Sequence, residues 1–222
     1  MLVVVGGQTR NIGKTSVVAG LIAALPELHW TAIKVTQYGH DVCSTDGKPC
    51  ECAAADPEHP FAISEETDGA TGTDTSRFLA AGAQRSFWVR TAAGDLGHAV
   101  PALRRIFDAS EHVIAESNSI LQFWKPDLYL SVLDFGARDF KSTSLHHLDR
   151  ADALIVIDHG LPQPQWSGVS RKLWESKPRF RVQPPQWVTE AMAALVRGRL
   201  NSCTTSSGAV VRAVTGLPTA GR

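Results

Sequence analysis

The chain lacks an excess of charge of either sign. Among its 222 residues, 22 lysines and arginines balance 22 aspartates and glutamates, which leaves a formal net charge of zero at pH 7. A protein that binds nucleic acid through its phosphates needs a basic field, and a helix that lies on a membrane needs a cationic amphipathic face. The sequence offers neither, so we expect no nucleic acid and no membrane among its partners.

Long apolar runs and a charged leader are missing as well. No apolar stretch approaches the roughly 20 residues that a membrane-spanning helix needs. The N-terminus runs straight into the apolar segment Leu2 to Val5, without a positively charged region before it. We therefore expect a cytoplasmic protein. Its length suits a single α/β domain over residues 1–200, followed by a flexible tail over residues 201–222 that is rich in serine, threonine and glycine.

Cysteine is scarce, but three of the four cysteines stand close together as Cys43, Cys50 and Cys52. In a cytoplasmic chain such clustering indicates metal or redox chemistry before disulfides. Three thiolates and the imidazole of His40 would complete a tetrahedral zinc site. The spacing is not one of the common zinc patterns, so free surface thiols are the alternative. The cluster lies in a long irregular region, residues 37–73, which we interpret as an inserted loop.

The most informative stretch that is present is the beginning of the chain, MLVVVGGQTRNIGKTSVVAGLIAAL. Leu2 to Val5 is typical of a strand buried on both faces. A glycine loop follows, and Lys14 and Thr15 then begin an apolar helix that Pro26 ends. Glycines let backbone N–H groups turn toward an anion, and the helix N-terminus adds a positive dipole. The stretch therefore predicts a phosphate-binding loop.

The spacing of this loop departs from the standard pattern G-x-x-x-x-G-K-[ST]. That pattern places its first glycine at position 8, where this chain has Gln8, and the nearest glycine is Gly7. The strand before the loop and the helix after it still favour nucleotide binding, with Lys14 on the β- and γ-phosphates and the Thr15 hydroxyl on Mg²⁺. No Asn-Lys-x-Asp element selects guanine, so ATP and GTP both remain open. The predicted nucleotide contacts are Gly7, Thr9, Asn11, Ile12, Gly13, Lys14, Thr15 and Ser16.

Apolar periodicity predicts further strands and helices along the chain. Lys34 lies inside the second predicted strand, where it is either a snorkelling edge residue or a ligand of the γ-phosphate. Glu116 ends a buried strand, where a metal-facing acid would stand, with a solvated strand end as the alternative. His146 and His147 point in different directions on any helix, so we interpret them as surface residues. The predicted strands are 31–36, 86–90, 112–116, 127–134, 153–158 and 180–182. The predicted helices are 74–83, 188–200 and one with Pro101 in its first turn.

Three segments between residues 32 and 117 together resemble the molybdopterin-guanine dinucleotide biosynthesis protein B family: AIKVTQYGHD, TDTSRFLAAGA and VIAES. The phosphate loop, with its extra residue, is similar to that of dethiobiotin synthetases, which are ATP-dependent ring-closing enzymes. Both resemblances imply a three-layer α/β P-loop NTPase fold, with a mostly parallel central sheet flanked by helices, and a homodimer. They also imply Mg²⁺ ligands at Thr15, Asp74 and Glu116 and a phosphate-contacting Lys34. Lys14, Lys34 and Glu116 would then be the catalytic residues.

The chain also departs from both families. Glu116 is followed by Ser117-Asn118-Ser119 instead of a glycine-rich run, and the cysteine cluster belongs to neither pattern. The first hypothesis is a Mg²⁺-dependent nucleoside-triphosphate hydrolase or nucleotide-dependent transferase. It could serve as an accessory factor in molybdenum cofactor biosynthesis, with a protein partner from that pathway. The alternatives are an ATP-dependent ligase similar to dethiobiotin synthetase and a metal-binding protein switched by nucleotide.

Overall fold

The computed structural model of the chain describes residues 1–38 and 60–211. The predicted zinc ligands Cys43, Cys50, Cys52 and His40 lie outside the described residues. Residues 212–222, the second half of the predicted tail, lie outside them too. None of the helices in the described ranges combines the length and apolar character that crossing a bilayer requires.

Eight strands form one sheet in the order β3-β4-β2-β5-β1-β6-β7-β8. Every neighbouring pair is parallel except the edge pair β3 and β4, which is antiparallel. The mostly parallel α/β sheet that the sequence predicts is therefore confirmed. The strands are β1 Leu2–Gly7, β2 Thr31–Tyr38, β3 Phe61–Glu66, β4 Arg85–Ala92, β5 Val113–Glu116, β6 Leu128–Asp134, β7 Ala153–Ile157 and β8 Arg179–Val182.

Helices cover both faces of the sheet, as the continuous apolar runs of its central strands require. In β1, Val3 and Val5 belong to one core with α1 and α5, whereas Val4 points into the opposite core with α3. The result is three layers with an apolar core on each side of the sheet. The helices are α1 Lys14–Ala24, α2 Asp74–Ala80, α3 Leu96–Asp108, α4 Ser142–Leu145 and α5 Glu190–Val211.

Three predicted elements differ from the observed ones. Residues 61–66, inside the predicted loop 37–73, form the edge strand β3, which buries little and so has a weak apolar pattern. Helix α3 begins at Leu96, so Pro101 lies inside the helix and not in its first turn. Pro101 has no N–H group to donate to the helix, but burial of Leu96 and Ala99 stabilises this turn. Helix α5 continues to Val211, whereas its serine- and threonine-rich end had predicted a tail from residue 201.

Candidate functional site

The phosphate loop, residues 8–13, leaves the carboxyl end of β1 and enters α1. Two of its residues have left-handed backbones, Asn11 with φ 57° and Gly13 with φ 85°. Such a conformation turns consecutive N–H groups toward a common point. The loop borders a cleft of about 860 Å³. This strand–loop–helix unit on a mostly parallel sheet is the arrangement of the P-loop NTPase fold.

Lys14 and Thr15 begin α1 and both line the cleft. Lys14 Nζ donates a hydrogen bond of 2.6 Å to the carbonyl of Thr9, so the lysine side chain bends back over the loop. Burial lowers the pKa of Lys14, and the nearby Glu116 carboxylate offsets part of this effect. Thr15 Oγ1 donates to Glu116 Oε2 at 2.8 Å. The first turn of α1 is therefore tied to the end of β5.

Lys34 stands between two carboxylates. Its Nζ lies 2.7 Å from Asp74 Oδ2 and 2.5 Å from Glu116 Oε1. The register explains the second contact, because Lys34 of β2 pairs with Glu116 of the adjacent parallel strand β5. Burial opposes the charge on Lys34, but Glu116 and Asp74 outweigh it and raise the pKa of the ammonium. Lys34 is thus a charged, mostly buried residue of the cleft and not a snorkelling edge residue.

The structure brings the three predicted Mg²⁺ ligands to one place. Thr15 contacts Glu116, and Asp74 contacts the Lys34 ammonium. Glu116 binds the same ammonium. The described residues contain no cluster of three or more histidine, cysteine, aspartate or glutamate side chains placed to hold a metal ion. One hydroxyl and two carboxylates are nevertheless the hard oxygen donors that suit Mg²⁺, which binds through few protein ligands and completes its shell with phosphate and water.

Asp74 is positioned by a network that the sequence does not reveal. Thr73 is the N-cap of α2, and its hydroxyl accepts a hydrogen bond from the N–H of Ser76 at 3.1 Å. The same Thr73 hydroxyl donates to Glu66 Oε2 at 3.0 Å, and the Thr75 hydroxyl donates to it at 3.2 Å. Glu66 ends the edge strand β3, so this strand fixes the start of α2 and with it the Asp74 carboxylate. The repeated threonines in Thr71 to Thr75 are the one sequence signal for this network.

Arg77 is a cleft residue that sequence reasoning missed. It lies one turn after Asp74 on α2, and its guanidinium donates to Ser16 Oγ at 2.9 Å. Nearly half of the side chain is exposed, and it lines the same cleft as Lys14. Its spacing from Asp74 is the signal that could have placed it on the site-facing side of the helix.

Gln8 occupies the position where the standard pattern has glycine, and its side chain is fully buried. Its Oε1 accepts from the N–H of Asp134 at 2.9 Å. Its Nε2 donates to the carbonyls of Ala137 and Asp139 at 3.1 and 2.7 Å. Gln8 therefore connects the phosphate loop to the segment between β6 and α4. This structural role of the side chain accounts for the unusual spacing of the loop.

Lys141 reaches the cleft from that segment and was also missed. Its N–H donates to the Gln8 carbonyl at 3.0 Å, and its side chain lines the cleft. Burial, together with the positive charges of Arg10 and Lys14, lowers the pKa of Lys141 to about 8. Cations thus meet the phosphate loop from two sides, Lys34 from one and Lys141 from the other. No local motif announces Lys141, because only the fold brings it near the loop.

Most of the predicted loop contacts line the cleft, but Gly7 and Ile12 are not among the lining residues. Gly7 is the last residue of β1, and its N–H donates to Asn118 Oδ1 at 2.8 Å. The Asn118 amide returns a hydrogen bond of 2.9 Å to the Gly7 carbonyl. Gly7 therefore has its amide engaged by Asn118, while Ile12 is buried in the core of α1. The lining residues among the predicted contacts are Thr9, Asn11, Gly13, Lys14, Thr15 and Ser16.

The paired histidines lie away from the cleft. His146 is exposed and His147 half-buried, with ring centroids 6.5 Å apart. Burial lowers the pKa of His147, and the adjacent Arg150 adds to this effect.

The chain matches no family model and no curated protein. Among solved structures it is similar to LpxK from Aquifex aeolicus, crystallised in complex with ATP, with 16% sequence identity and a TM-score of 0.44. The alignment covers 81% of this chain and 53% of that one, so the chain spans about half the length of LpxK. The resemblances to molybdopterin-guanine dinucleotide biosynthesis protein B and to dethiobiotin synthetase stay hypotheses.

Proposed function

We propose that this chain binds ATP or GTP together with Mg²⁺ in the cleft and hydrolyses or transfers the terminal phosphoryl group. The observation that carries the proposal is the series of contacts from Thr15 through Glu116 and Lys34 to Asp74, beside Lys14 at the start of α1. Phosphate-binding loops are common on this fold, but a lysine and two carboxylates beside the loop add the charged groups that phosphoryl transfer uses to bind metal and to offset charge.

The loop residues would bind the phosphates. Lys14 donates to the Thr9 carbonyl in the free protein. A phosphate oxygen is a stronger, charge-assisted acceptor at the same distance, so the ammonium would exchange the carbonyl for it. No side chain caps the start of α1, so its first N–H groups would bind the phosphates as well and add the helix dipole.

Thr15, Asp74 and Glu116 would hold Mg²⁺, directly or through water. The ion would supply charge neutralisation between the phosphates when bound. For the two carboxylates to turn toward it, Lys34 would release at least one of its contacts and move toward the phosphates. Lys34 and Arg77 would then offset the charge that develops on the transferred group, so catalysis would consist mainly of positioning and electrostatic stabilisation.

The finer assignments rest on sequence resemblance. These are the accessory role in molybdenum cofactor biosynthesis with a partner protein from that pathway, the homodimeric state, and the ligase-type alternative.

The proposal is tested by titration calorimetry of Mg²⁺–ATP and Mg²⁺–GTP with the wild type and with Lys14→Ala, Glu116→Gln and the control Lys172→Ala. Lys172 is an exposed lysine that does not line the cleft. Losing one charge-assisted contact is expected to weaken binding to Lys14→Ala at least about tenfold, and Lys172→Ala should bind as the wild type does. Glu116→Gln should remove the part of the affinity that depends on Mg²⁺.

Unchanged affinity of Lys14→Ala for both nucleotides would refute the proposal, and so would a wild type that binds neither. Melting temperatures of all variants establish that each is folded when its affinity is measured.

A further inference from the structure

Trp187 lies over the last glycine of the phosphate loop. A Cβ built on Gly13 would stand 2.1, 2.4 and 2.9 Å from the indole atoms Cζ3, Cη2 and Cε3. All three are consecutive atoms of the six-membered ring, so the outer edge of this ring lies against Gly13. A side chain at position 13 would displace the indole, and the left-handed backbone there, with φ 85°, itself favours glycine.

The position of Trp187 is held by its neighbour. A Cβ on Gly20 would stand 2.7 Å from Val188 Cγ2. Gly13 is the N-cap residue of α1, and Gly20 lies inside the helix, seven residues further on. Two consecutive residues between β8 and α5 therefore pack against the N-cap of α1 and against the helix itself, which places the indole beside the phosphate loop.

The indole is also part of the cleft wall. Trp187 is half-buried, and of the described residues that line the cleft only Phe140 and Trp187 are aromatic. The remaining lining residues are mostly polar or charged. Lys14 begins α1 where phosphates would sit, and Gly13, with the Trp187 ring against it, comes immediately before Lys14. A nucleotide that extends from the phosphates along this wall therefore meets the indole.

We propose that Trp187 is the stacking platform for the base of the bound nucleotide, so that the site selects nucleoside triphosphates over bare polyphosphate. The inference deepens the proposed function and rests on it. Stacking on an aromatic face accepts every base, because every base has a π-face. The sequence contains no Asn-Lys-x-Asp element to select guanine. We therefore expect ATP and GTP to bind with affinities within about threefold of each other, a small difference in binding free energy.

The experiment compares three ligands, ATP, GTP and inorganic tripolyphosphate, each with Mg²⁺ and each measured by calorimetry. The variants are Trp187→Ala, Trp187→Leu, Trp187→Phe and the control Lys172→Ala. Leucine retains apolar bulk at Gly13 without a π-face, phenylalanine retains the π-face, and Lys172 is an exposed residue that does not line the cleft. Trp187→Ala and Trp187→Leu should weaken ATP and GTP binding about tenfold or more and tripolyphosphate binding less than about twofold. Trp187→Phe and Lys172→Ala should stay near the wild type.

Each other outcome has a definite meaning. If Trp187→Leu loses affinity for ATP and tripolyphosphate equally, or loses affinity for no ligand, Trp187 is not the stacking platform. The proposed function still stands in either case. A wild type that binds ATP and tripolyphosphate equally well would have the same meaning. A wild type that binds none of the three ligands would defeat the proposed function itself.

Discussion

Lys34 and Asp74 form an ion pair of 2.7 Å between Nζ and Oδ2, and the same ammonium contacts Glu116 on its other side. One residue lies on β2, one begins α2 and one ends β5. An ammonium in this position offsets part of the charge of the two carboxylates that the proposed function assigns to Mg²⁺. The free protein therefore holds its own cation at the site, and the exchange of that cation for a metal ion can be measured without any turnover.

Replacing Lys34 by methionine is expected to destabilise the protein when metal is absent. The Glu116 side chain is only 3% exposed, and without Lys34 its charge lacks a full counter-charge. Breaking a buried pair in this way costs on the order of 3 kcal/mol. Urea unfolding in the presence of a chelator measures the loss, and millimolar Mg²⁺ should restore part of it in the variant while changing the wild type little.

The double variant with Lys34→Met and Glu116→Gln is the control, since it removes the stranded charge and should recover much of the stability. Equal responses of the wild type and Lys34→Met to Mg²⁺ would contradict an exchange between the ammonium and the ion.

Replacing Gln8 by alanine is expected to loosen the phosphate loop. The change leaves the N–H of Asp134 and the carbonyls of Ala137 and Asp139 without their Gln8 partner in a partly buried place. Leaving one such group without a partner costs at most about 1–3 kcal/mol. We therefore expect the three losses together to lower the free energy of unfolding by about 2 kcal/mol or more, as measured by urea unfolding. Gln8→Gly should lose as much, although it restores the glycine of the standard pattern.

Thr9→Val is the matched change at the next residue, because it removes an exposed hydrogen bond of 2.5 Å to Asp139. Thr9→Val should lower the free energy of unfolding clearly less than Gln8→Ala does. A larger loss for Thr9→Val would show that Thr9, and not Gln8, holds the loop in place.

Replacing Lys141 by methionine is expected to stabilise the free protein at neutral pH. Burial and the charges of Arg10 and Lys14 lower the pKa of Lys141 from 10.5 to about 8, so the folded state disfavours its charged form. At pH 7 the residue is charged in both the folded and the unfolded state, and the full penalty applies. Above pH 8 the folded state loses this proton first, so the penalty shrinks and disappears near pH 10.5.

Urea unfolding of the wild type and of Lys141→Met between about pH 7 and pH 10 measures the difference between their free energies of unfolding. Titrations that the two proteins share cancel in this difference. The advantage of Lys141→Met should be largest at pH 7 and fall steadily above pH 8, while the exposed control Lys172→Met shows none. A variant that is less stable than the wild type at pH 7 would show that Lys141 makes favourable contacts that outweigh its burial.

Several parts of the site could be predicted from the chain alone. The apolar run before the glycines and the apolar helix after Lys14 are local patterns, and such patterns show which element forms because burial of the apolar residues then stabilises it. Glu116 could be placed at a strand end for the same reason. The strand β3 could not, since an edge strand buries one weak face. The structural role of Gln8 could not either, because its hydrogen bonds reach residues far along the chain.

The order of residues along the chain specifies which chemical groups are available: a phosphate loop, a lysine inside a strand and an acid at a strand end. The assembled fold specifies which of these groups meet. Lys34 faces Glu116 because β5 pairs with both β1 and β2, an order of strands that no local pattern contains. Lys141 and Trp187 reach the cleft from segments that follow β6 and β8. Local periodicity reports which face of an element is buried, but distances between charges depend on how the sheet is assembled.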